Sequence, residues 1–188
     1  MPPQLLTSSR NIMLKNYKEH VEERLQEGIP PLPLNAEQVS ELVELLKAPP
    51  AGEEDFILDL ITNRTPAGVD PAAYVKAAFL TDVAKGATSS PLIDKQLATK
   101  LLGTMLGGYN VESLIGLLED DAVGGLAADG LSKTLLMFNA KHDVIELSKT
   151  NKNAKRVVDS WSDAEWFTNK PKLPEVIKAI VFRVEGEI

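Results

Sequence analysis

Apolar positions recur along this chain at intervals of three and four residues, and the clearest run lies in its middle. Val111, Leu114, Ile115 and Leu118 fall at i, i+3, i+4 and i+7, one stripe of a short helix, with Asn110 placed ahead of them as a side-chain N-cap. Glu119, Asp120, Asp121 and Gly124-Gly125 interrupt the pattern, which resumes at Ala127, Gly130, Leu131, Thr134, Leu135 and Phe138. The spacing predicts an antiparallel helical hairpin with an acidic turn in water and small residues that let a partner helix approach closely. A hairpin of this kind cannot bury both of its sides alone. It needs neighbours of the same sort.

The remaining pattern supplies them. A first helix is expected from Met13 to about Glu27, with Leu14, Tyr17, Val21 and Leu25 on its apolar face and Gly28 closing it. Ile29-Pro30-Pro31-Leu32-Pro33-Leu34 cannot be helical, because each proline removes a donor and restricts the residue before it. It reads as an extended strap packed by Ile29, Leu32 and Leu34, a connector in preference to a polyproline ligand. Asn35 with Gln38 forms a capping box for a second helix that buries Val39, Leu42, Val43 and Leu46. Glu53-Glu54-Asp55 suits the positive end of a third, which buries Phe56, Ile57, Leu60 and Ile61. Asp70-Pro71 starts a fourth, with Val75, Ala78, Phe79, Leu80 and Val83. A fifth is expected from near Ser90-Pro91, using Ala98, Leu101, Leu102 and Met105 and ending in Gly107-Gly108. After the central hairpin come a short helix near Asp143 to Lys149 and a last one carrying Ala154, Val157, Val158 and Trp161. Ile180, Phe182 and Val184 then alternate with polar or outward positions, the period of a strand. A lone strand is costly, so this segment reads as the first strand of a following domain.

Composition narrows the chemistry. The chain has 188 residues, 44% of them hydrophobic, which suffices for the core of one domain. It contains no cysteine, so it offers neither disulfides nor thiolate metal ligands. No apolar run has membrane-spanning length and Met1 to Asn11 lacks the features of a secretory signal, so the expected setting is cytoplasmic, away from membranes. The formal net charge of -7 and pI near 4.9 oppose indiscriminate binding to nucleic acid.

Few residues invite a reaction. The Glu53 to Asp55 carboxylates are ordinary first-turn chemistry. Gly103, Gly107 and Gly108 lack the preceding strand and the Gly-Lys-Ser/Thr of a phosphate loop, so they read as marks of close helix contact and a C-cap. His20 and His142 have neither metal spacing nor a nucleophile beside them. Binding candidates are more numerous. They are Asn63 and Arg64 in the loop before Thr65, Tyr109 and Asn110 at the hairpin entrance, and the basic face of Lys149, Lys152, Lys155 and Arg156, which could meet RNA or an acidic partner. Trp161 and Trp166, with Phe167, either wedge the last helix in place or anchor an interface.

The central hairpin resembles a HEAT-type repeat, paired helices stacked as a solenoid. Longer strings carry a narrower resemblance: Tyr17 to Arg24, Glu27 to Leu34, Leu42 to Glu54, Leu101 to Asn110 and Trp161 to Phe167 are similar to the amino-terminal portion of bacterial aconitase B. The resemblance runs from about Met13 to Ile188. Residues 1–12, which read as a flexible leader, fall outside it. The resemblance implies an all-α HEAT-like helical domain over 13–170, and over 171–188 a linker and first strand of a swivelling α/β domain. It further implies a non-catalytic unit of an aconitate hydratase, which converts citrate to isocitrate through cis-aconitate in the tricarboxylic acid cycle. The [4Fe-4S] cluster of such an enzyme would sit on later domains, and no catalytic residue is expected here. Implied partners are the remaining domains of the parent enzyme, a second copy in a homodimer, and RNA.

Overall fold

The computed structural model describes residues 3–134, 137–138 and 140–163, and among these the secondary structure is helical. The elements are α1 (Pro3–Gln26), α2 (Ala36–Lys47), α3 (Glu54–Asn63), α4 (Pro71–Lys85), α5 (Lys95–Gly103), α6 (Val111–Ile115), α7 (Gly124–Ser132), α8 (Ala140–Leu147) and α9 (Lys152–Ser162). Helices α2, α4, α5, α7 and α9 pack serially into an inner row, and α1, α3, α6 and α8 lie against its members. The result is the expected all-α stack of helical hairpins. One continuous core runs through it, from Met13 and Tyr17 on α1 to Val157 on α9. The expected strand near Ile180 lies outside the described residues.

Local chemistry fixes where the helices begin and end. The α1 helix starts at Pro3 rather than at Met13, since a proline costs nothing in a first turn whose N–H groups have no helical partner; residues 3–12, read as a leader, are its first turns. Asn35 and Gln38 form the expected reciprocal cap of α2, with bonds of 3.0 and 2.9 Å. The Asp70 carboxylate accepts from Ala72 N–H ahead of α4. The fifth helix begins at Lys95, not near Ser90-Pro91, because Asp94 caps it while the Ser90 hydroxyl donates to Leu46 O. The strap after α1 is tied by Tyr17 Oη to Leu32 O, by Leu32 N–H to His20 Nε2 and by Arg24 Nε to Pro30 O. Of its three apolar side chains only Leu34 is buried; Ile29 and Leu32 remain exposed, as does Leu25 on α1. Its hold is polar.

Small residues set the spacing of the inner row. A Cβ placed on Gly130 of α7 would lie 2.8 Å from Gly103 Cα on α5, a distance side-chain carbons do not tolerate. Backbone therefore meets backbone, as the small face of the hairpin foretold. Phe138 departs from that pattern. The α7 helix stops at Ser132, where the Thr134 hydroxyl bonds back to Gly130 O, and Phe138 lies beyond it, 81% exposed.

Lys76 was unanticipated. It is 3% exposed on α4, with its Nζ 3.5 Å from Thr62 O, and desolvation lowers its pKa from 10.5 to about 8. Its stem fills the core as a methionine would.

Two predictions follow from this packing. Gly130→Ala should cost about 2 kcal/mol of stability, because the new methyl group forces α5 and α7 apart; equilibrium urea unfolding measures it. Lys76 binds its proton less tightly when folded than when unfolded, so its penalty is complete below about pH 8 and fades as pH rises toward 10.5. Lys76→Met should therefore stabilise the fold by on the order of 1–3 kcal/mol near neutral pH. That gain should shrink above about pH 8 and be lost once the pH passes 10.5.

Candidate docking groove

Two loops that lie far apart in sequence meet across a single parallel bridge between Gly68 and Gly108. Both glycines have positive φ, and a Cβ on Gly108 would fall 2.5 Å from Gly68 O, so the approach needs a bare α-carbon there. Asn110 holds the second loop from inside. It is fully buried, its Nδ2 donates to Leu102 O at 2.7 Å, and its Oδ1 accepts from Gly107 N–H at 3.2 Å. It makes no side-chain cap for α6, because its amide is spent on closing the loop. Its neighbour Tyr109 is turned outward and meets Tyr74 of α4 edge to face, with ring centroids 5.1 Å apart.

The bridge forms one wall of a groove of about 800 Å³ that runs between α4, α6 and the segment entering α8. Val69, Tyr74, Leu106, Tyr109 and Phe138 line it, and all are among the exposed large apolar side chains of the fold. Scattered exposed apolar residues are ordinary, but a contiguous set around one concavity marks a contact surface. Leu106 (φ 60°) and Phe138 (φ 42°) are the non-glycine residues with left-handed backbone among those described. Such a conformation costs roughly 1–2 kcal/mol for an L-residue, and here the strained residues carry exposed apolar side chains into the groove. The charged groups in the lining are the carboxylates of Asp82 and Glu112.

The other sequence candidates lie elsewhere or in other roles. Asn63 is exposed and bonds Asp59 within its own helix, while the carbonyl of half-buried Arg64 receives Leu34 N–H from the strap. The loop that follows Arg64 leads to Gly68 and meets the Tyr109 loop at the bridge, but neither Asn63 nor Arg64 lines the groove. On the basic face, Lys149 pairs with Glu146, Lys155 with Asp159, and Arg156 with Asp129 and Gly125 O. Trp161 packs half-buried against the core, and Trp166 lies outside the described residues. Sequence reasoning missed Tyr74, Asp82, Leu106 and Glu112, and assigned Phe138 to the core. Leu106 left a faint signal, a large apolar residue directly before two glycines.

Neither a thiolate nor a carboxylate cage is available for a metal centre. The chain has no cysteine, and no group of three His, Asp or Glu side chains converges among the described residues. These residues do not fit an iron-sulfur cluster. No helix among them is long and apolar enough to cross a membrane.

A stack of helical hairpins with an open apolar groove defines an α-solenoid-like domain. The chain belongs to the family described as the Aconitate B N-terminal domain, which it matches over residues 16–167. It is similar to Aconitate hydratase B of Pseudomonas aeruginosa (59% identity over 176 residues), of Escherichia coli (56% over 176) and of Helicobacter pylori (47% over 176). Each alignment covers 93% of this chain and 20% of the relative, so the chain spans about a fifth of their length.

Replacing Leu106 by glycine removes the left-handed penalty and little buried surface. Leu106→Gly should leave the fold unchanged or stabilise it by up to about 1 kcal/mol, even though a large apolar side chain is lost; thermal unfolding followed by circular dichroism reads it.

Proposed function

We propose that this domain is the non-catalytic amino-terminal interaction unit of an aconitate hydratase B, making protein contacts within or between subunits and shaping access to a reaction centre built elsewhere. The observation that carries this reading is the groove, where exposed apolar side chains gather around a rigid double-glycine bridge. A fold that places Leu106 and Phe138 in costly backbone conformations with their side chains in solvent gains from a partner that covers them. The relatives, five times as long, have further polypeptide to cover it in the same molecule, and we read that polypeptide as the seat of the [4Fe-4S] cluster and of the interconversion of citrate and isocitrate. A homodimer using the same face is the other form of this reading.

RNA binding through the Lys149 to Arg156 face draws less support. Three of its four cations already face carboxylates at 2.9 Å or less, which weakens the field offered to a phosphate.

The test is made in the longer polypeptide that carries this domain. Leu106→Ser with Phe138→Ser should weaken domain or subunit association by about tenfold in sedimentation, a loss near 1.4 kcal/mol. The cluster's visible absorbance should stay unchanged, and the isolated chain should not hydrate cis-aconitate. Undisturbed association, or turnover by the isolated chain, overturns the reading.

A further inference from the structure

The groove's chemistry is lopsided. Its apolar wall is built from aromatic and branched side chains, while the charged groups in its lining, Asp82 on α4 and Glu112 on α6, are both acidic and both exposed. Among the described residues no ion pair engages either carboxylate, although Lys18, Lys95, Lys149 and Lys155 all find acidic partners elsewhere on the surface. Two carboxylates without an ion pair line the same groove as Tyr74, Tyr109 and Phe138, so a cation entering it meets both direct charge and aromatic ring quadrupoles. Among the described residues the lining holds no lysine, arginine or histidine; Lys85 Nζ lies outside it, beside Gly116 at the end of α6, and forms no ion pair with either carboxylate.

We propose that the groove receives a polypeptide segment that presents a large apolar side chain and, close beside it, a lysine or arginine. This rests on the reading of the groove as a protein-contact surface and adds the chemistry of what fills it. The apolar side chain covers Leu106 and Phe138, and the cation reaches the rim at Asp82 and Glu112. Size favours a peptide over a small cation, since a cavity of about 800 Å³ with a largely apolar lining is not filled by an ammonium group alone. The wall is also fixed in advance. Asn110 and the Gly68–Gly108 bridge hold Tyr109, and the Thr81 and Ser113 hydroxyls, 2.7 Å apart, pin α4 to α6, so binding orders little of the domain itself.

The probe is a synthetic amphipathic helix of leucine and lysine, titrated into the full chain by calorimetry, beside the same peptide with glutamate for lysine. The lysine peptide should bind at one site and the glutamate peptide should not. Asp82→Lys with Glu112→Lys should weaken binding by about tenfold or more, and the neutral pair Asp82→Asn with Glu112→Gln by less. Glu23→Lys with Glu27→Lys, remote at the end of α1, should leave binding unchanged. Circular dichroism confirms that each variant is folded. Equal losses from the remote pair, binding of the glutamate peptide, or no binding of either would overturn the proposal, as would a stable dimer of the free chain that blocks the groove. If charge reversal leaves association of the longer polypeptide intact while Leu106→Ser with Phe138→Ser abolishes it, the contact surface stands and its basic partner does not. If neither pair disturbs association, the contact surface itself falls.

Discussion

The contact between Gly103 and Gly130 controls how near the inner helices come to one another. With α-carbons in place of side chains at that crossing, α5 and α7 approach until backbone touches backbone. The loop leaving α5 carries Leu106, Gly107, Gly108 and Tyr109. It is held from within by Asn110, whose buried amide bonds both to Leu102 O at the end of α5 and to Gly107 N–H. Losing either partner would leave part of a buried polar side chain unsatisfied, a cost of about 1–3 kcal/mol. The crossing also touches α6, since a Cβ on Gly130 would lie 3.2 Å from Leu114 Cδ1, so core packing and the α6 wall of the groove share one contact.

The groove inherits its rigidity from that arrangement. The α4 helix is held by its own N-cap at Asp70 and by burial of an almost continuous face, Ala72, Ala73, Ala77, Leu80 and Ala84 among others. Small residues there bring α4 against α2 and α5, leaving Tyr74 and Asp82 on the side away from the core. The Gly68–Gly108 bridge then fixes the loop before α4 to the loop after α5. Tyr74 and Tyr109 are thereby brought edge to face from elements that share no sequence neighbourhood. The strain at Leu106 persists because the bridge and the Asn110 amide fix the loop that carries it.

Most of the architecture was legible in the sequence because it depends on local chemistry. The capping box at Asn35 and Gln38, the Asp70-Pro71 start and the proline strap each follow from hydrogen-bonding rules that operate over a few residues. The small face at Ala127 and Gly130 correctly announced a close crossing, although its partner, Gly103, could only be named from the fold. The errors have a common cause. Asn110 has the right residue type and position for an N-cap, but a competing carbonyl at Leu102 and an N–H at Gly107 claim its amide, and neither is visible along the chain. Phe138 continues an apolar period past the point where the helix supporting that period has ended. Lys76 sits at an apolar position of α4 whose burial no local rule requires, and it stays charged-capable at the cost of a lowered pKa.

The candidate site was half legible for the same reason. Tyr109 was singled out at the hairpin entrance and lines the groove, whereas Asn63 closes α3 and neither it nor Arg64 is in the lining. The groove itself depends on side chains from α4, α6 and the segment before α8, whose juxtaposition is a long-range property. An exposed tyrosine on α4 means little alone, since isolated apolar surface is common. It gains meaning when Leu106, Tyr109 and Phe138 stand around the same cavity and the acidic groups beside them lack a partner among the described residues. The basic face of α9 shows the converse: its lysines and arginine looked free in sequence, yet helical spacing and the neighbouring α7 provide carboxylates for Lys149, Lys155 and Arg156. What distinguishes the two surfaces is how far their charges are already answered: three of the four cations on the basic face have carboxylate partners, whereas among the described residues neither groove carboxylate is in an ion pair.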